Sequence, residues 1–346
     1  MKKTQILFQL VKEREISFKK LFNLSKSILS LKIKNPRLNS YPSIVMIEPT
    51  NFCNLNCPLC PTGNKSLKRT KGYMPPENFK RIIDELGDYL LNITLWNYGE
   101  PLLHKDIYEM ISYAKKKRIF IRLSTNGHFF DKKDNVKKLI SSRLDNLIIC
   151  LDGASQETLS KYRVGANFEQ IINGIKSVVE EKKKLRSNLP IIELQFIVMK
   201  HNEHEVDKLK QIAKEIGVDK LTLKTATLEI ETSKKELKKM KNFLPSKEEY
   251  SRYKSVEAKL ERKNIIKNKC TRLWVSSVIN WNGDVVPCCY DADGNFTFGN
   301  MFETSFKEVW NSSKYIAFRR KILLNKTNIP MCSNCPGNLF GLTIGE

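Results

Sequence analysis

The sequence predicts an α/β chain: an open, partial (β/α)6 barrel, preceded by a helical extension and followed by a small carboxy-terminal domain of β-hairpin plus helix. Three features predict it. Six short apolar runs alternate with segments of helical periodicity between residues 43 and 224. An Asn-Gly pair, Asn282-Gly283, sits between two apolar runs in WVSSVINWNGDVVPCCY, the pattern of a tight hairpin. Phe18, Leu21, Phe22, Ser25, Ile28 and Leu29 fall on one helical face, which Asn35-Pro36 brings to an end.

The six apolar runs are SIVMIE, LNITLWN, IFIRLS, DNLIICL, IIELQFIV and DKLTLK. Continuous apolar runs suit parallel strands covered on both faces, and the stretches between them (76–86, 105–117, 132–141, 167–184, 203–216) read as the covering helices. Six such units fit an open, TIM-like partial barrel better than a closed barrel of eight. The expected organisation is a basic helical extension over 1–41, the barrel over 42–230, a Lys- and Glu-rich helical connector without strand signal over 231–265, and a separate domain over 266–346.

At 346 residues the chain is long enough to bury a substantial core. The longest apolar runs fall far short of the roughly 20 residues of a membrane span. The amino terminus lacks a cleavage site and its apolar stretch is interrupted by charges, so it does not read as a signal peptide. A cytoplasmic, reducing setting is therefore expected, where nine cysteines at paired spacings point to metal rather than to disulfides. The net charge of +23 is spread along the chain; residues 1–41 hold ten Lys and Arg against two acids. Solvated helix faces account for it without a polyanion partner. The helix over 18–32 can pack on the barrel, the expected fate, or touch a membrane surface.

Cys53, Cys57 and Cys60 form C-x3-C-x2-C directly after the first strand, in a loop with Asn51, Asn54, Asn56, Pro58 and Pro61. Chemistry in parallel β/α sheets gathers at the carboxyl ends of strands. A structural zinc site wants four ligands, and no fourth Cys or His stands at suitable spacing, so iron-sulfur ligation ranks above zinc. Three thiolates leave one iron of a cubane open. Near the carboxy terminus Cys270, Cys288, Cys332 and Cys335 form a second set whose four thiolates saturate a cubane; zinc with four cysteines is its rival.

The segment MIEPTNFCNLNCPLCP resembles the signature of the radical S-adenosylmethionine (radical SAM) superfamily, and NGDVVPCCYD, FGNMFETSFKEVW and CSNC resemble the SPASM and twitch domains appended to many of its members. Together the resemblances cover about residues 43–340. They imply two [4Fe-4S] clusters, S-adenosylmethionine as cofactor and a flavodoxin or ferredoxin as electron donor. Tyr98-Gly99-Glu100-Pro101 resembles the family's Gly-Gly-Glu-Pro, with Tyr98 in place of the first Gly, which makes Gly99, Glu100 and Pro101 candidate cofactor contacts. Ser124 and Asn126 of Ser-Thr-Asn-Gly, Asp152 of Cys150-Leu151-Asp152-Gly153 and Arg163 of YRVG are further candidates. Cys150 stands where the family has serine, and a surface role for Arg163 stays open.

The C-x17-C and C-x2-C arrangement resembles the one-cluster twitch type, found in a radical dehydrogenase acting on an aminocyclitol. Cys289 stands where sulfatase-maturating relatives have a catalytic aspartate, and Asp291 follows two residues on; these are the candidates for a catalytic group. The expected activity is a radical SAM oxidoreductase, a dehydrogenase or peptide maturase, that takes hydrogen from a sugar or cyclitol, a tetrapyrrole or a peptide side chain, with the auxiliary cluster accepting an electron. The short segment before the barrel weakens the peptide reading. The alternatives are a radical RNA-modifying enzyme that uses the positive charge, and a non-catalytic iron-sulfur or zinc protein.

Overall fold

A computed structural model of the chain describes residues 17–228, 238, 240–256, 259–263, 268, 270–333, 335 and 343–344. In chain order the elements used below are α1 (Phe18–Lys32), β1 (Ile44–Ile47), α2 (Pro76–Leu86), β2 (Asn92–Leu95), α3 (Ile107–Lys115), β3 (Phe120–Thr125), α4 (Lys133–Ser141) and β4 (Asn146–Cys150). Next come α5 (Gln156–Tyr162), α6 (Phe168–Lys184), β5 (Ile191–Val198), α7 (Val206–Ile216), β6 (Lys220–Thr225), β7 (Tyr253–Val256) and β8 (Lys259–Arg262). The carboxy-terminal elements are α8 (Arg272–Val275), β9 (Ser276–Ile279), β10 (Asp284–Val286), β11 (Gly299–Asn300), α9 (Phe306–Trp310), α10 (Ser313–Asn325), α11 (Pro330–Ser333) and β12 (Thr343–Ile344).

All six expected strands form, and they do not close into a barrel. The chain falls into two compact units, the first from Met1–Phe52, Lys68–Arg122 and Ile266–Leu339, the second from Cys53–Leu67, Leu123–Ile265 and Phe340–Glu346. Strand β3 begins in the first and ends in the second.

In the first unit the strand order is β11-β10-β9-β1-β2-β3. β1 pairs parallel with β2 (Val45↔Ile93) and, on its other edge, parallel with β9 (Val45↔Ser277). The hairpin expected at Asn282-Gly283 forms: β9 and β10 pair antiparallel, Ile279 against Val285. Gly283 has φ +90°, and a Cβ there would meet the Phe302 ring at 2.4 Å, so the turn needs glycine. Helix α2 starts with proline at its first turn and buries the stripe Phe79, Ile82, Ile83 and Leu86 completely, each such side chain stabilising the unit by about 1.5–3 kcal/mol.

Helix α1 packs on this unit with the face opposite to the one its periodicity suggests. Its polar residues Lys20, Asn23 and Ser27 are buried, whereas Phe18, Leu21, Phe22, Ile28 and Leu29 are exposed. Specific hydrogen bonds explain the choice. Lys20 Nζ donates to the carbonyls of Lys117 (2.8 Å) and Arg118 (2.6 Å), and Asn23 bonds both the carbonyl (2.9 Å) and the N–H (2.8 Å) of Tyr41.

In the second unit the end of β3 is followed by β4, β5, β6 and β12, the first three parallel and β12 antiparallel to β6. β4 is buried at every position, as its unbroken apolar run requires. On β4–β6 one face carries Leu147, Ile149, Leu194, Phe196, Leu221 and Leu223; the other carries Cys150, Gln195 and Thr222 in one row, with Ile148, Glu193 and Lys220 in the next. Helix α7 stops at Gly217, which takes the left-handed conformation (φ +79°) of a helix C-terminus.

The expected helical connector over 231–265 is helical at 238, 240 and 241 and has a helical turn over Glu248–Tyr250, but it also holds a strand pair. β7 and β8 pair antiparallel, Tyr253 against Arg262 and Val256 against Lys259. The Lys and Glu content hid the strand, and long-range anchors fix it. The Tyr253 hydroxyl donates to the Leu228 carbonyl (3.3 Å) and accepts from the Leu228 N–H (2.7 Å), while Arg252 donates to the Thr225 hydroxyl and carbonyl at the end of β6. Residues 231–237, 239, 257–258 and 264–265 of that stretch, and residues 1–16 of the expected extension, lie outside the described residues.

Candidate active site

The loop after β1 has no regular structure and is held by its own backbone and by bonds to neighbouring segments. Cys60 N–H donates to the Cys57 carbonyl (3.1 Å) and Asn64 N–H to the Cys60 carbonyl (2.8 Å). Gly63 lies against the Cys57 backbone so closely that a Cβ would stand 2.4 Å from its nitrogen. Asn56 N–H donates to the Val164 carbonyl (2.9 Å), which ties the loop to the YRVG segment. Cys53, Cys57 and Cys60 are all free thiols. Burial pushes the Cys57 thiol up to about 12, with Arg163 opposing and the charges of Cys60, Cys53 and Asp152 adding to the rise. The three sulfurs therefore share one electrostatic neighbourhood, and ligation there must displace protons.

Among the described residues no three Cys, His, Asp or Glu side chains converge on one metal-ion position. A cubane does not ask for that, because each thiolate binds a different iron. Three free thiols in a loop of its own backbone bonds, with no carboxylate or imidazole converging among them, fit the cluster.

Asp152 and Arg163 sit beside this loop in the same unit. The Asp152 carboxylate is wholly buried and accepts from Arg163 Nε (2.6 Å) and from the Ile197 N–H (2.7 Å); the Asp152 carbonyl accepts from Asn202 Nδ2 (2.9 Å). Burial alone would lower the Arg163 guanidinium, yet Asp152, with Cys150 and Cys57 near by, holds it well above its ordinary value. Arg163 is thus a placed cation and not a surface arginine.

Ser124 Oγ lies 3.4 Å from Cys150 Sγ, and Gln195 Nε2 lies 3.5 Å from the same sulfur. Asn126 Nδ2 donates to Asn54 Oδ1 in the cysteine loop (2.8 Å). His128, which the sequence reading did not single out, orients that amide. Its Nε2 accepts from the Asn167 N–H (2.9 Å), so Nδ1 carries the proton and donates to Asn126 Oδ1 (2.9 Å). Burial lowers the His128 pKa, which favours this neutral form.

Gly99, Glu100 and Pro101 belong to the first unit. Gly99 has φ +109°, and a Cβ on it would stand 2.4 Å from the Thr50 carbonyl oxygen. Glu100 N–H donates to the Phe52 carbonyl (2.7 Å), and its buried carboxylate accepts from the Leu102 N–H (3.1 Å) at the start of a short turn begun by Pro101. Tyr98, in place of the family glycine, donates its hydroxyl to the Cys289 carbonyl (2.7 Å).

The tail cysteines lie in the first unit, with Cys270 in electrostatic reach of Cys288, Cys332 and Cys335. Burial raises Cys270, Cys288 and Cys332, the last to about 12; Cys335 raises Cys270 further, and Cys270 raises both Cys288 and Cys332. Lys326 Nζ, itself buried, donates to the Cys335 carbonyl (2.5 Å). Asp291 is also buried, but its two carboxylate oxygens accept from the N–H groups of Asn295 (2.8 Å) and Phe296 (2.9 Å), so it shapes its own loop.

Three placed charges escaped the sequence reading. Arg272 lies within electrostatic reach of Cys288, Cys289 and Cys270; burial lowers its guanidinium, but Cys289, Cys288, Tyr290 and Cys270 together hold it above its ordinary value. Glu48, fully buried at the end of β1, accepts a two-point pair from Arg69 (3.0 and 2.7 Å) and a bond from Asn97 Nδ2 (3.1 Å). Burial raises the Glu48 pKa against the opposing Arg69. Position 48 in MIEP was the available signal, since a carboxylate ending an apolar strand needs a partner.

Known proteins resemble this chain in sequence and in fold. The Radical SAM superfamily model matches residues 47–213, and a SPASM model, described as an iron-sulfur cluster-binding domain, matches residues 270–336. The tungsten-containing aldehyde ferredoxin oxidoreductase cofactor-modifying protein of Pyrococcus furiosus is 24% identical over 84% of this chain and 86% of its own length. The AdoMet-dependent heme synthase of Methanosarcina barkeri is 28% identical over 52% of this chain and 49% of its own. Among solved structures, BtrN in complex with AdoMet and 2-DOIA superposes with a TM-score of 0.53 at 19% identity, covering 88% of this chain and 96% of that one. Streptococcus suis SuiB bound to precursor peptide SuiA gives 0.63 at 18%, covering 91% and 74%. At such identities the structures show the fold alone. The fold, the two domain matches and the two cysteine sets together make this chain a radical SAM enzyme with a carboxy-terminal SPASM domain, whose cofactors are S-adenosylmethionine and two iron-sulfur clusters.

Proposed function

We propose that the chain oxidises a polar substrate, with Cys53, Cys57 and Cys60 holding the S-adenosylmethionine-cleaving cluster and Cys270, Cys288, Cys332 and Cys335 the auxiliary one. When bound, these groups supply one-electron cleavage of S-adenosylmethionine to methionine and a 5′-deoxyadenosyl radical, removal of a substrate hydrogen, and an acceptor for the electron left behind. The protein's own residues bind and orient. Arg163, aligned through Nε by Asp152, offers the rest of its planar fork to the methionine carboxylate. Glu100 serves the methionine amino group, Gly99 and Pro101 shape the backbone beside it, and Ser124 and Asn126 face the ribose, with Asn126 aligned by His128.

The observation that carries the oxidative reading is that Cys270 lies within electrostatic reach of Cys288, Cys332 and Cys335, because a set of four thiolate ligands leaves no open iron for a substrate or a second cofactor. The polar row Cys150, Gln195 and Thr222 supports a hydroxyl- or amide-bearing substrate, a sugar, cyclitol or peptide side chain, over an apolar ring system. A flavodoxin or ferredoxin is the proposed donor to the first cluster. The test is the variant Cys332→Ala with Cys335→Ala. It should keep forming 5′-deoxyadenosine in the presence of dithionite while yielding no oxidised product; product formation at the wild-type rate would refute the assignment.

A further inference from the structure

The exposed face of α1 is apolar. Among the described residues ten large hydrophobic side chains are exposed, and six of them, Phe18, Leu21, Phe22, Ile28, Leu29 and Ile33, lie on this helix and its C-cap. The exposure is extensive, 82% for Phe18, 52% for Phe22, 57% for Leu29 and 63% for Ile33. A contiguous apolar face of this kind marks an interaction surface.

The helix is held rigidly with that face outward. Besides the Lys20 and Asn23 bonds, Ser27 Oγ donates to Ser40 Oγ (2.8 Å). The segment that follows is fastened as well. Trp274 Nε1 donates to the Asn35 carbonyl (2.8 Å), Arg319 to the Pro36 carbonyl (3.1 Å), and Asn311 bonds both the N–H and the carbonyl of Leu38. Helices normally bury their apolar stripe and hydrate their polar one; here polar side chains anchor the helix, and the stripe is exposed among the described residues.

Charge identifies the partner. From Ser17 to Ile47 there are six Lys and Arg and no Asp or Glu; Lys20 is buried and Lys19 pairs with Asp88 (3.0 Å), which leaves Lys26, Lys32, Lys34 and Arg37. Lys26, Lys32 and Lys34 are exposed beside the apolar face, and Lys26 Nζ stands 4.4 Å above the Phe22 ring. The turn that receives Lys20 adds exposed Lys116 and Arg118. No helix among the described residues is long and apolar enough to cross a membrane. An aromatic and aliphatic stripe rimmed by cations suits one that lies in the interface of an anionic bilayer.

We propose that α1 docks the protein peripherally on anionic lipid, its apolar side chains entering the headgroup–acyl boundary and its lysines meeting the lipid phosphates. The test is co-sedimentation of the full-length protein, both clusters reconstituted anaerobically, with vesicles of phosphatidylcholine alone or of equal parts phosphatidylcholine and phosphatidylglycerol. The wild type should partition onto the anionic vesicles, at least about tenfold more than onto the neutral ones, and lose that binding at high salt. Phe22→Ser with Leu29→Ser should lower binding about tenfold or more, with 5′-deoxyadenosine formation unchanged. Failure to bind anionic vesicles, or equal binding by this variant, overturns the proposal. So does a concentration-dependent dimer that this variant dissociates without any vesicle binding by the wild type, which would give the face to a second copy.

Discussion

Arg163 Nε donates to Asp152 Oδ2 at 2.6 Å, and the buried Asp152 carboxylate is held from its other side by the Ile197 N–H. The pair lies beside the cysteine loop, so the same carboxylate that neutralises the guanidinium also aims it.

Removal of one partner leaves the other charge buried and alone. Asp152→Ala should destabilise the protein by ~3–5 kcal/mol in urea unfolding, whereas Asp152→Leu with Arg163→Met should recover most of the loss. The double variant should still fail to bind S-adenosylmethionine in equilibrium dialysis, which separates the pair's structural part from its binding part.

Gly99→Ala tests the close backbone approach beside Glu100. The position has φ +109°, and the added Cβ would stand 2.4 Å from Thr50 O and 2.7 Å from Asn51 Cα, so the turn must shift. Strain of this kind costs about 1–3 kcal/mol. Iron content after reconstitution should match the wild type, while the KM for S-adenosylmethionine should rise about tenfold, equivalent to ~1.4 kcal/mol of lost binding.

Arg69→Met exposes a pH dependence in Glu48. Burial raises the Glu48 pKa in the folded protein above its ordinary 4.5 even with Arg69 present. A folded pKa above the unfolded one means the native state binds more protons, so stability falls as pH rises from about 4.5 through the raised value. Without Arg69 that rise should be larger. The variant should be less stable than wild type by about 3–5 kcal/mol near neutrality and by clearly less in mild acid, where Glu48 takes a proton. Glu48→Gln added to Arg69→Met should flatten the difference; thermal unfolding at several pH values reads it.

Much of this was legible because it is written locally. Each barrel strand is a short apolar run, the hairpin turn is Asn-Gly, and the first cysteine set stands within eight consecutive residues. What escaped depends on distant pairing. The parallel join of β1 to β9 links residues 44–47 with 276–279, and neither run encodes its neighbour. The Glu48–Arg69 pair and the tail's Arg272 are single residues whose meaning comes from what surrounds them. For α1, periodicity located the helix and its two faces correctly but not which one is buried, because carbonyls of a remote turn, Lys117 and Arg118, outcompete apolar contact by taking the Lys20 ammonium. In the connector, Arg252 and Tyr253 fix β7 through bonds to Thr225 and Leu228 that no local pattern shows.

The most direct measurement is S-adenosylmethionine cleavage by anaerobically reconstituted protein. Wild type with dithionite should form 5′-deoxyadenosine and carry about eight irons per chain, and Cys53→Ala with Cys57→Ala and Cys60→Ala should carry about four and form none. Wild-type protein that binds zinc in that loop, or a triple variant that still forms 5′-deoxyadenosine, would contradict the account.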